Sequence, residues 1–89
     1  MSTLHILYTA ELPPALSRLW SEGDALLLAG AAVTLALQPA LTLPQPCLAL
    51  VDAVQARGLS ARWPSAIALL DAAGWVALAV AHDKSLSWS

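Results

Sequence analysis

Charge is scarce in this chain. Ten of 89 side chains are charged, 11%, against about 25% in ordinary soluble domains. Apolar residues make up 58%. A domain this small buries only about 60% of its unfolded surface, so it lacks the polar residues to cover itself. From Ala25 to Val51 there is no charged residue at all.

Long uninterrupted apolar runs are missing too. A spanning helix needs about 20 apolar residues. The run from Ala25 is broken at Gln38-Pro39, with Pro44 and Pro46 beyond it. The stretch Ser65–Ala81 carries Asp71, and neither stretch has a flanking Lys/Arg cluster. The start Met1-Ser2-Thr3-Leu4-His5 has no basic segment and no signal-peptide core. The expectation is a cytoplasmic, non-membrane chain whose bare apolar surface is covered by another subunit.

Other absences narrow the chemistry. A net charge of −2 with four scattered basic residues (Arg18, Arg57, Arg62, Lys84) gives no patch for direct nucleic-acid binding. One cysteine, Cys47, excludes an internal disulfide and a cysteine-based zinc site. His5 and His82 have no ligand spacing. The four glycines stand alone, so no phosphate-binding loop is expected. No cofactor and no metal is expected.

What is present is a repeating rhythm. Leu4–Tyr8 reads as a first strand, and Glu11–Trp20 as a helix with Pro13 and Pro14 in its first turn. Ser21–Asp24 is a turn. Ala25–Ala29 is apolar without alternation, as expected of a strand covered on both faces. Ala31–Leu37 reads as a short helix stopped by Pro39, and Cys47–Val51 as another strand. Asp52–Arg57 reads as a helix with Gly58 as its left-handed stop. Ala66–Leu70 is a third unbroken run. Asp71 is placed to cap a helix carrying Trp75, Val76, Leu78, Ala79 and His82. Leu86–Trp88 suggests a last strand. The order predicts a single α/β domain over residues 1–89, with a mostly parallel sheet of four or five strands between helices.

Few residues are placed to do chemistry. Cys47 is the one strong nucleophile, but no Lys, Arg or His lies within nine residues of it. A reactive thiolate needs an electropositive, partly exposed site, so a buried strand cysteine is the expectation and a persulfide carrier the alternative. His5 and His82 are read as structural, and Asp71 as a cap before a general base. No pair among Glu11, Glu22 and Asp24 is spaced for acid–base work. Trp20 and Trp75 fall at core-like helical positions. Leu86 and Trp88 share one face of the last strand and are expected to dock together.

Taken together, several segments resemble the TusB/DsrH family of small sulfur-relay subunits. They are Met1–Leu7, Gly23–Leu28, the stretch Leu50-Val51-Asp52-Ala53-Val54-Gln55-Ala56-Arg57-Gly58-Leu59, Leu69-Leu70-Asp71 with Trp75-Val76-Ala77-Leu78, and the closing His82–Trp88. The resemblance implies a three-layer DsrE/DsrF/DsrH-like fold. It implies assembly with TusC-like and TusD-like subunits into a heterohexamer. That complex would pass persulfide sulfur from a TusA-like donor to a TusE-like acceptor, for 2-thiouridine at the wobble position of transfer RNA. It also implies that the active cysteine belongs to the TusD-like subunit. This chain would then have no catalytic residue of its own, although it is a subunit of a sulfurtransferase complex. Some sulfur-oxidiser relatives carry a cysteine after the first strand; here residues 1–46 contain none. That difference argues against the role of a DsrEFH-type subunit in sulfur oxidation.

Overall fold

The computed structural model describes residues 2–88. Five strands, β1 (Thr3–Leu7), β2 (Ala25–Leu28), β3 (Cys47–Leu50), β4 (Ala68–Leu70) and β5 (Lys84–Trp88), form one sheet. All pairings are parallel, in the order β4-β3-β2-β1-β5. Between them lie three α-helices: α1 (Pro14–Leu19), α2 (Val51–Ala56) and α3 (Ala72–Val80).

The central strands explain the unbroken apolar runs. Every residue of β1 and β2 is buried, because helices lie on both faces. Side chains alternate between those faces. On one side Leu7, Leu26, Leu28, Cys47 and Ala49 meet Leu16 of α1, Val33 and Leu35 of the β2–β3 connection, and Val54 of α2. On the other side Leu4, Ile6 and Leu27 meet Trp75, Leu78 and Ala79 of α3.

The two faces are unequally covered. α3 alone covers its side, and none of its own residues is buried. Val76 is 64% exposed and Val80 79%. The nine-residue helix carries no charge. Asp71 caps it as expected: the Gly74 N–H donates to its Oδ1 at 2.8 Å.

Several elements depart from the sequence reading, among them the first helix, which runs from Pro14 to Leu19 and not from Glu11 to Trp20. Gly30–Leu37 is a 3₁₀-helix. Thr34 Oγ1 donates to the Ala31 carbonyl at 2.8 Å, three residues back, which suits the tighter winding. The third apolar run yields only three strand residues, because Ser65 and Ala66 turn; Trp63 Nε1 closes that loop by donating to the Ile67 carbonyl at 2.8 Å. His82 lies beyond the end of α3, where its Nδ1 donates to the Leu78 carbonyl at 2.8 Å. It still satisfies a C-terminal carbonyl of the helix.

Burial separates the two ends of the energetic range. Leu27 is fully buried in the central strand pair and Val80 stands in solvent. Leu27→Ala is expected to cost about 2–5 kcal/mol in urea unfolding. Val80→Ala should cost about 0.5 kcal/mol or less in the isolated chain.

Candidate functional site

Two places hold buried groups with chemistry to offer: Cys47 and a cluster around Asp24. Cys47 opens β3 and is 4% exposed. Its Sγ has one polar neighbour, the Leu48 carbonyl at 3.9 Å, and its N–H donates to Gln45 Oε1 at 3.2 Å. Burial pushes its thiol up to about 12 from an ordinary 9.0. At neutral pH it is a thiol, and among the described residues it makes no hydrogen bond to a cationic group that would ionise it. Leu26 stands in register between Cys47 and His5, so the sheet does not pair cysteine with histidine.

The second place was invisible to spacing arguments. The turn Ser21–Asp24 has Gly23 at φ 91°, as a type II turn requires at its third residue, and the Asp24 N–H donates to the Ser21 carbonyl at 3.0 Å. The turn delivers Asp24, 2% exposed, to the start of β2. Its Oδ1 accepts the Thr3 N–H at 2.8 Å; its Oδ2 accepts the Ser21 N–H at 2.9 Å and meets His5 Nε2 at 2.8 Å. Burial by itself raises this carboxyl. Hydrogen bonds from His5, Ser21 and Thr3 outweigh it and hold Asp24 below its ordinary 3.8.

His5, 1% exposed, carries the chain of contacts onward. Its Nδ1 accepts the indole Nε1–H of Trp88 at 3.1 Å. Trp20 stacks on the ring at 5.0 Å between centroids, and Trp88 lies at 6.2 Å. Trp20 is therefore a partly buried lid on a histidine, just past the end of α1. Trp88 docks as expected, but Leu86 does not: it remains 39% exposed. It lies opposite His5 on the outer strand, and His5 is already covered by Trp20 and Trp88.

The sequence held one overlooked signal. An aspartate directly before an unbroken apolar strand, and a histidine inside another, are both bound for the core. Buried polar groups need partners, and these two are each other's.

Among the described residues, no three His, Cys, Asp or Glu side chains come together to hold a metal ion. Nor is any helix long and apolar enough to cross a membrane. Asp24, His5 and Trp88 use their polar atoms on one another, which makes the cluster a brace across β1, β2 and β5 rather than an open reaction site. The model of the family described as DsrH like protein matches residues 9–85. The chain belongs to the DsrH-like family. Its role is in sulfur relay. No curated protein matches the chain. The all-parallel five-stranded α/β sheet is consistent with the family's fold. The match begins at Thr9 and so includes Cys47, Asp24 and Trp20, while His5 and Trp88 lie outside it.

The Asp24 carboxylate makes stability depend on acid. A folded-state value below the unfolded 3.8 means the contribution is fully present above about pH 4 and is lost as pH falls through the lower, folded value. Denaturant unfolding at about pH 6 and pH 3 should show this loss in the native chain. Asp24→Asn should be about 1–3 kcal/mol less stable near pH 6, because its single accepting oxygen cannot serve both the Thr3 and Ser21 N–H groups and its amide nitrogen faces a donor, with a much flatter acid profile.

Proposed function

We propose that this DsrH-like chain is a non-catalytic structural subunit of a TusBCD-like sulfur-relay complex. In this reading it assembles with TusC-like and TusD-like subunits in a heterohexamer. The assembly passes persulfide sulfur from a TusA-like donor to a TusE-like acceptor for 2-thiouridine formation at the wobble position of transfer RNA. The work would be done in the cytoplasm, without direct contact between this chain and nucleic acid.

The observation that carries the reading is the state of Cys47. A sulfur carrier must attack a persulfide as a thiolate and then present its own terminal sulfur to an acceptor. Cys47 is closed in beneath the β2–β3 connection and α2, and its thiol is held at about 12. Burial works against both requirements. The bare face of α3 supports the second half of the reading. A subunit without its own chemistry contributes surface, and this helix offers an uncharged one.

A carrier role for Cys47 is the rival reading, and the two separate cleanly. Cys47→Ala should leave 2-thiouridine in transfer RNA within about twofold of the native level and lower stability by about 1 kcal/mol. A thiol-specific alkylator should label Cys47 only after denaturation. Complete loss of thiolation with the assembly intact would overturn the non-catalytic role. Affinity purification from native extract, with mass measurement of the intact assembly, tests the partners. A stable solitary monomer would refute the obligate-subunit role.

A further inference from the structure

The Asp24–His5–Trp88 chain fixes where every proton sits. Asp24 is a carboxylate and can only accept, so His5 Nε2 carries hydrogen and donates to it. The Trp88 indole nitrogen can only donate, so His5 Nδ1 must be bare. The seating of Trp88 thus requires the neutral ring in a single tautomer. Among the described residues, Asp24 is the charged group that bonds His5. Leu26 of β2 and Leu86 of β5 flank it in register, and Trp20 covers it from the end of α1.

We propose that His5 is a proton-operated clasp on the C-terminal end of β5. A proton from solvent adds to Nδ1. The bond from Nε2 to Asp24 then becomes an ion pair and persists. At Nδ1, however, an N–H now faces the Trp88 N–H, two donors 3.1 Å apart. The indole loses its acceptor and leaves the ring. The backbone pairing of β5 with β1 then remains at that corner, with Leu7 opposite Trp88 and the Tyr8 N–H donating to the Trp88 carbonyl at 3.1 Å. β5 is an outer strand whose residues are mostly exposed, so its end has little else to hold it. Acid therefore opens the outer edge of β1 near Tyr8 while the Asp24 end of the brace stays closed.

Tryptophan labelled with ¹⁵N in the full chain, alone or in its assembly, reads this directly. Trp88→Phe assigns the Trp88 indole signal by its loss. As pH is lowered over the range in which the chain stays folded, that signal should shift toward the position of a free indole. The Trp63 signal, bonded to the Ile67 carbonyl, should stay in place. His5→Asn offers a side-chain oxygen in place of Nδ1 and does not titrate, so its Trp88 signal should be flat with pH. A native signal that does not move, or one that moves equally in His5→Asn, overturns the clasp. Should His5→Asn fail to fold, ¹⁵N-histidine and ¹⁵N-tryptophan spectra of the native chain, followed together as pH is lowered, decide the matter. Hydrogen on Nδ1 of His5 in the neutral ring overturns the clasp; a Trp88 indole signal that moves together with the His5 nitrogens upholds it, and one that stays while they move overturns it.

Discussion

A single buried carboxylate organises one end of this sheet. Asp24 gathers the start of β1, the turn before β2 and, through His5, the end of β5. A lone carboxylate in such a place would be costly, since burying an unpaired charge is among the least favourable events in folding. Three donors at 2.8–2.9 Å reverse that balance. The register of β1 against β2 follows: Leu4 pairs with Ala25 next to the carboxylate, and each later pair is set by the first. A slip of one residue would leave the carboxylate unsatisfied and turn every leucine to the wrong face.

Much of the architecture was legible because the strands are so apolar. Ala25–Ala29 and Cys47–Val51 read as strands from composition alone, each one residue longer than the strand that forms, and Asp71 announced α3 through its capping position. The burial of Cys47 was legible from the absence of basic neighbours. Contacts between distant residues were not legible. His5 and Asp24 are 19 positions apart, and His5 and Trp88 are 83 apart. No local period records such a meeting. The exposure of Leu86 escaped for a related reason. Strand alternation says which way a side chain points, not whether anything lies there to receive it.

The uneven layers give the low charge its physical meaning. One face of the sheet is packed under α1, the 3₁₀-helix and α2, and it buries most of the core. The other rests under α3, a helix of alanine, glycine, valine, leucine and tryptophan with no buried residue of its own. α3 shields Leu4, Ile6 and Leu27 from water but presents Val76 and Val80 in their stead. The apolar surface is thus moved outward by one layer rather than removed. Charge would ordinarily be placed on such an outer helix face, and here none is.

The position of β5 also shapes how the chain reaches its native state. The sheet grows from β1 through β2 and β3 to β4 in one direction, and β5 then returns to the opposite side of β1. Thr3 pairs with Lys84, so the first strand waits for a partner made 81 residues later. During synthesis β1 can dock on β2 early, but its other edge stays open until β5 has left the ribosome. Pairings between remote segments are slow to form, and an unpaired strand edge is prone to pair with other chains meanwhile. The nascent chain therefore carries its first strand, fully buried in the finished fold, with one edge unpaired until β5 is made.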